Sequence, residues 1–434
     1  MTIDRTFTLS GLSASQLDRA EGVLLAQACG DALGVPWELG HRPADAGCGA
    51  EPGDGFMQGG GLGPYAPGEW SDDTQMAVVI ARVAATGADL TSRTALDAIA
   101  NGFIDWHASV ASDVGTQTRA VLGSVARHRG EPGVSERMRR AALDYHRASG
   151  GRSAGNGALM RNGVVGLTRL HDPRATAAAA RAVASLTHAD PLAGDSCVIQ
   201  AEMIRAHVVS PEWEGRPFNG ARPLAALEPV GAERRGYWHG LFDGGVYDPA
   251  NWDSPGLPPA DGFTVDALGK ACLAFTAANH EAGTRGRPAA DRTELARTWL
   301  RLILARAVRT SDDSDTVAAI AGAVAGGYLG AAAVPEEWAA KVHGLPAGPG
   351  SGRARPRPRT GPPRAQGARR AVTARTTSST SPPPAAPRTI RSTTRPMMTL
   401  WTTAATARAS RRSVICPAAC HLTTSAAMRE RTRA

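Results

Sequence analysis

Along the first 343 residues, apolar side chains return every three or four positions in seven stretches: 16–33, 74–85, 175–185, 196–207, 265–278, 291–308 and 315–328. That period is helical and gathers the apolar side chains of each stretch onto one face. Alternating β-branched runs bounded by turns, the mark of strands, are nearly absent. Two glycine-rich segments break the helical pattern: GDGFMQGGGLGPYAPGEW at 53–70 and SGGRSAGNGALMRNG at 149–163. Such loops carry function when a rigid scaffold holds them, so the pattern predicts a helical bundle with functional loops at one end. Residues 209–262 show no clear period, and a long loop or short-helix insertion is expected there.

The pattern ends near Gly344. Residues 344–434 hold 17 Arg, one acid (Glu430), and no Lys, Phe or Tyr. Pro, Ser, Thr and Ala fill the remainder. Such a segment buries too little apolar surface to offset the entropy of ordering it, so a disordered tail is expected. A basic nucleic-acid-binding arm is one reading of it. The composition is also that of GC-rich codons read out of frame, and that reading is the favoured one. The division changes the meaning of the net charge of +8. Residues 1–343 contain 31 basic and 39 acidic side chains, a net of about −8, while the tail carries about +16. The basic balance therefore says nothing about a partner of the folded part, and nucleic acid is expected only through the tail.

Four cysteines lie in the body, Cys29, Cys48, Cys197 and Cys272, and none shows metal-type spacing. They read as small buried hydrophobes in a reducing compartment. The N-terminal residues lack the basic and apolar regions of a signal peptide, and no apolar run is long enough to span a bilayer. A soluble, cytoplasmic protein with no membrane partner is expected, and a monomer.

Two acidic clusters carry the chemistry. Ser71-Asp72-Asp73-Thr74 and Asp313-Ser314-Asp315-Thr316 each stand at the start of an apolar helical stretch. Either alone reads first as a helix cap, because Ser, Asp and Thr are preferred N-caps and acids favour the positive helix end. The pair says more. A cap needs one side-chain oxygen, whereas two such clusters meeting in a bundle would supply four carboxylates and at least one hydroxyl from each. Those are hard oxygen ligands, suited to Mg²⁺ or Mn²⁺ rather than zinc, and four crowded negative charges need cations. Gly59-Gly60-Gly61 and Gly155-Asn156-Gly157 would let backbone N–H groups approach a phosphate, although G-x-G alone also serves ordinary turns. Neither a P-loop nor a strand followed by G-x-G-x-x-G is present, which excludes the usual nucleotide folds. His188, at the corner Leu186-Thr187-His188-Ala189-Asp190-Pro191, reads as a helix cap or a ring to stack on a ligand, and Asp113 as a turn residue.

In order along the chain, these segments resemble the ADP-ribosylglycohydrolase family. Gly30-Asp31-Ala32-Leu33-Gly34-Val35-Pro36-Trp37-Glu38 is similar to its first signature, and Gly59-Gly60-Gly61 with Trp70-Ser71-Asp72-Asp73-Thr74 to its G-G-G…W-T-D-D-T block. Asp113-Val114-Gly115 resembles its D-x-G-N-T segment, Gly155 to Arg161 its G-N-G-x-x-M-R loop, and Thr187-His188 a T-H step. Asp313 onward, with Pro335 and Trp338, resembles its closing motif. The resemblance spans about three quarters of the chain and implies an all-α orthogonal multi-helix bundle over 1–343. It implies a centre of two Mg²⁺ or Mn²⁺ ions held by Ser71, Asp72 and Asp73 on one side and Asp313, Asp315 and Thr316 on the other. Glu38 would lie beside the metals and Asp113 would face the scissile ribose, the two sharing the acid and base roles. Gly115 and the Gly155-Asn156-Gly157 loop would bind substrate, the loop at the diphosphate, and His188 would meet the distal ribose or adenine. The implied reaction removes ADP-ribose from a modified protein or small molecule. A catalytically inactive ADP-ribose-binding or structural member is the alternative, and the two intact clusters argue against it.

Three positions depart from the family pattern. Ser71 stands for Thr and keeps the hydroxyl. Ser311-Asp312 replaces a glycine pair, and the extra carboxylate of Asp312 is expected to perturb the loop or the metal affinity. Thr116-Gln117 replaces Asn-Thr beside Asp113, which alters the expected ribose contacts.

Overall fold

The computed structural model describes residues 11–40, 57–109, 111–209, 226–227, 229–251, 257–258, 262–281 and 292–345. All lie in the first of two units, Met1–Gly350. The second, Ser351–Ala434, lies outside the described residues, and so does the expected disorder of the tail. The described residues are helical: α1 (Ala14–Gly34), α2 (Asp72–Ala84), α3 (Arg93–Ser109), α4 (Thr116–Val125), α5 (Val134–Ala148), α6 (Pro173–Ala184), α7 (Pro191–Val209), α8 (Ala232–Phe242), α9 (Thr264–Glu281), α10 (Arg292–Arg309), α11 (Ser314–Leu329) and α12 (Glu336–Lys341). Sheet structure among them is limited to three isolated bridges. All seven predicted stretches are helices, with ends shifted by a few residues as fraying and caps dictate.

The central helix is α11. Past Asp315 it carries no charge, and every residue from Ser314 to Leu329 is buried. A helix apolar on all sides belongs inside a core. It packs antiparallel on α1 through a ladder of small residues. A Cβ built on Gly30 would lie 2.1 Å from the Ala318 carbonyl oxygen, on Gly322 2.3 Å from that of Ala26, and on Gly326 2.0 Å from that of Gly22. At the far end, a Cβ on Gly34 would sit 2.3 Å from the Asp315 Cα. The two backbones touch because glycine recurs every four residues on one face. That contact carries Asp31 of α1 up to the first turn of α11.

The start of α1 is fixed locally, by a capping box in which Ser13 Oγ accepts from the Gln16 N–H and the Gln16 side chain accepts from the Ser13 N–H. Helix α6 begins the same way, with Asp172 accepting from the Ala175 N–H and Pro173 at the first position. In the stretch expected to be a long loop or short-helix insertion, the described part contains the short helix α8. Its sequence holds two glycines and few apolar residues, so the period is faint. Tertiary contacts decide it: Trp238 and Phe242 are buried one turn apart, and Arg234 pairs with the fully buried Asp195 of α7, which also receives Arg181 at 2.5 Å. Helices α3, α4 and α5 lie outside the seven stretches. In α3, Gly102 weakens the local preference, yet it permits close packing, since a Cβ there would stand 2.5 Å from Val79 Cγ1 of α2.

After α12 the chain returns to the site. Trp70 N–H donates to the His343 carbonyl (2.9 Å) and His343 N–H to the Gly68 carbonyl (2.8 Å). The Trp70 indole donates to the Leu345 carbonyl at 2.9 Å, two residues past the expected boundary at 343. This strap holds the strand-like approach to Ser71.

Candidate active site

The first acidic cluster does not cap its own helix. Ser71 is the N-cap residue of α2 but makes no side-chain cap hydrogen bond. Asp31, fully buried in α1, does that work: its Oδ1 accepts the Ser71 N–H (2.7 Å) and its Oδ2 the Thr74 N–H (2.9 Å). The Ser71 hydroxyl instead donates to Asp73 Oδ2 at 3.0 Å. Asp313, N-cap of α11, likewise makes no side-chain cap bond; its Oδ2 accepts from Asn156 Nδ2 at 2.6 Å. The helix-cap reading of the two clusters therefore fails for both N-cap side chains.

What the clusters do is converge. One carboxylate oxygen from each of Asp31, Asp73 and Asp315 lies within 4.8 Å of the other two, and Glu38, Asp313 and Asp315 form a second such trio. Among the described residues, no Lys or Arg forms an ion pair with Asp31, Asp72, Asp73 or Asp315. Burial and mutual repulsion raise their pKa values above the ordinary carboxylate range. Burial raises Asp31 to about 6 against the hydrogen bonds it accepts. Burial, then Asp113 and Asp313, raises Glu38 to about 9. Asp72, Asp73 and Asp315 stand well above the usual carboxylate range, again through burial first and neighbouring acids second. Asp73 Oδ1 is buried and accepts no hydrogen bond. An orphaned carboxylate oxygen among buried acids is the environment that a divalent cation satisfies, and the donors present are all oxygens.

Around this centre, Glu38 is followed by Leu39, a non-glycine residue at φ 51° whose N–H donates to the Asp312 carbonyl at 2.7 Å. A left-handed leucine costs about 1–2 kcal/mol, and this bond helps hold the turn that presents Glu38. The Asp312 side chain is exposed, so the carboxylate expected to perturb the loop points away, and its neighbour Ser311 accepts the Asp313 N–H at 3.0 Å. Thr316 is buried, with its N–H on Asp315 Oδ1. Asp113 precedes α4 and contributes to the repulsion at both Glu38 and Asp72. Gly115 is exposed with open space around it. The Gly155-Asn156-Gly157 loop is braced by the Gly155–Phe263 bridge and by Asn156 N–H on the Gly262 carbonyl. His188 lies under that loop and is 3% exposed. Gln117, one of the departures from the family pattern, ties the start of α4 to the Thr187 carbonyl at 3.0 Å.

A family model described as ADP-ribosylglycohydrolase matches residues 12–358. The chain belongs to the ADP-ribosylglycohydrolase family. It is 27% identical over 331 residues to the ADP-ribosylarginine hydrolase Tri1 of Pseudomonas putida (strain GB-1), covering 75% of this chain and 74% of that protein. It is 26% identical to the ADP-ribosyl-[dinitrogen reductase] glycohydrolase of Rhodospirillum rubrum, covering 75% of this chain and 90% of the relative. A solved chain described as an ADP-ribosylglycohydrolase-related protein complex shares 24% identity, with a TM-score of 0.48 over 76% of this chain and 94% of that one.

Within this family member, the residues singled out by the resemblance gather at one end of the α1–α11 pair. Three participants were not singled out from sequence as site residues. Asp31 was visible as an acid on the small-residue face of an apolar helix, a costly placement that asks for a partner. Arg161, fully buried, was visible only as the last residue of a loop motif. Thr187 was visible only as the first residue of the T-H step.

Proposed function

We propose that this chain is a hydrolase that cleaves the glycosidic bond between ADP-ribose and a modified protein side chain, with two Mg²⁺ or Mn²⁺ ions at the carboxylate centre. The convergence of Asp31, Asp73 and Asp315 in a buried place, with Asp73 Oδ1 unpartnered, carries the reading. Ser71, Asp72 and Asp73 would hold metal from the start of α2, and Asp313, Asp315 and Thr316 from the start of α11. Asp31 adds charge and anchors the first turn of α2. Bound there, the ions would supply Lewis-acid polarisation of the ribose hydroxyls and of a water. The Gly155-Asn156-Gly157 loop receives the diphosphate, and the open surroundings of Gly115 admit the ribose beside Asp113. Water adds to C1′ of the ribose as the C1′–N bond breaks through an oxocarbenium-like state. Of Asp113 and Glu38, one takes the water's proton and the other returns a proton to the leaving nitrogen.

The activity named for Tri1 supports arginine as the first acceptor to test, and that named for the Rhodospirillum rubrum relative supports a modified protein as the substrate. A panel of arginine-, serine- and nucleotide-linked ADP-ribose conjugates, with released ADP-ribose as the readout, tests the reaction. Release is expected with Mg²⁺ or Mn²⁺ and is lost in EDTA. Restoration by Zn²⁺ above either ion would refute the oxygen-ligand assignment. No release from any conjugate with either ion present would refute the hydrolase.

A further inference from the structure

We infer that Arg161 and Thr187 are positioning residues that lock His188 as the Nε2–H tautomer, so that its ring presents a fixed donor to a ligand oxygen at the Gly155-Asn156-Gly157 loop. The ligand half of this inference rests on the ADP-ribose reading above; the tautomer half stands on the hydrogen bonds alone.

The Arg161 guanidinium is wholly buried. It lies 4.4 Å over the Phe103 ring, donates to Met76 Sδ at 3.4 Å, and donates to Thr187 Oγ1 at 2.6 Å. Arginine has donors only, so the Thr187 oxygen is the acceptor in that bond. The other partner of this oxygen among the described residues is His188 Nδ1 at 2.8 Å. Thr187 has one hydroxyl hydrogen to place. Were Nδ1 protonated, two donors would converge on the threonine oxygen and its own hydrogen would be left without an acceptor in a fully buried position. The consistent arrangement runs in one direction: guanidinium to threonine oxygen, threonine hydrogen to Nδ1, proton on Nε2. Burial, and then the Arg161 charge, hold the ring neutral, with its pKa pushed down to about 3. Two tautomers are thus the only states in question, and Arg161 selects between them through Thr187.

The protonated edge faces the substrate loop. A Cβ on Gly155 would sit 3.2 Å from His188 Nε2, and one on Gly157 would sit 3.1 Å from Cε1 and 3.4 Å from Nε2. Glycine at both positions leaves that edge uncovered, and Nε2 has no hydrogen-bond partner among the described residues. Gln117 holds the Thr187 carbonyl from the other side, fixing the relay in place. A neutral N–H donor suits a ribose hydroxyl or a phosphate oxygen, and its aim survives changes of pH that would charge an exposed histidine.

The full chain, labelled with ¹⁵N-histidine, tests this by long-range ¹H–¹⁵N correlation, with His188→Gln assigning the signal. The wild type is expected to show Nε2 protonated and Nδ1 bare. Thr187→Val keeps the shape and removes the relay: the tautomers should mix and free ADP-ribose should bind about tenfold more weakly by calorimetry. Thr187→Ser should restore both, and Arg161→Met should behave as Thr187→Val; if that variant does not fold, the threonine pair decides. An Nδ1–H tautomer in the wild type overturns the relay. An Nε2–H tautomer with ADP-ribose affinity unchanged in Thr187→Val overturns the ligand contact. Complete failure of the wild type to bind ADP-ribose refutes the hydrolase reading and the ligand contact together, while the tautomer result still judges the relay.

Discussion

Gly30→Ala separates local preference from tertiary packing, because the two predict opposite signs. Alanine in a helix interior is favoured over glycine by about 1 kcal/mol, so helix propensity alone predicts a more stable protein. In the structure the new Cβ would lie 2.1 Å from the Ala318 carbonyl oxygen and 2.6 Å from its carbon. That is about 1.3 Å short of ordinary van der Waals contact, and the obstacle is backbone, which has no rotamer to escape into. Helices α1 and α11 must move apart along their whole seam. Overpacking of this kind costs about 1–3 kcal/mol or more, which exceeds the propensity gain. A net loss of about 1–2 kcal/mol would lower Tm by roughly 1.5–3 °C in a domain of this size. Because Asp31 follows Gly30 and faces Asp315, the same displacement should weaken Mn²⁺ binding by calorimetry. The control is Gly236→Ala in α8, where nothing lies within 4 Å of the new Cβ and Tm should rise or hold. A Gly30→Ala protein as stable as the wild type, with Mn²⁺ affinity intact, would refute the close-packed seam as the device that assembles the site.

Asp73→Asn and Asp315→Asn should each abolish metal binding and turnover while raising the Tm of the metal-free protein, through relief of carboxylate repulsion. The double variant should be no worse than either single one, since groups serving one centre fail together; intact metal stoichiometry and affinity in both singles would end the metal reading. In the metal-free protein, stability should fall as pH rises from 6.5 to 9. There the folded state, with Glu38 raised from 4.5 to about 9 and Asp72, Asp73 and Asp315 raised as well, holds protons that the unfolded chain has already released. The neutral His188 contributes the opposite slope only below its ordinary 6.5, and the buried Cys29, Cys197 and Cys272 thiols, pushed up by burial, add to the fall only near their ordinary 9, so the part of the window below pH 8 isolates the carboxylates; a Tm in EDTA that is flat or rising there would contradict them. Truncation after Leu345 should leave Tm and turnover intact, whereas truncation after Lys341 removes the His343 and Leu345 bonds to the Gly68–Trp70 approach and should lower both.

The sequence by itself determined the helices that announce themselves locally. A 3.6-residue period is a property of neighbouring residues, and the stretches 16–33, 265–278 and 315–328 carry it without help from the rest of the chain. It also determined the chemistry on offer, because two clusters of acids and hydroxyls at helix starts are a set of hard oxygen donors wherever they end up. The place and bounds of helix α8 were not legible within the expected loop or short-helix insertion, because its glycines weaken the local signal and its stability comes from Trp238, Phe242 and the pairing of Arg234 with Asp195. Nor could sequence alone say whether Ser71 and Asp313 cap their helices. That depended on Asp31, 40 residues before Ser71, taking over the first N–H groups of α2, and on Asn156, 157 residues before Asp313, claiming its carboxylate. The same holds for His188, whose tautomer follows from Arg161, 26 residues before its neighbour Thr187. Periodicity and residue type are written along the chain. Which carboxylates meet, and which oxygen is left without a donor, is decided by how closely two glycine-lined backbones approach, and that distance exists only once the helices have packed.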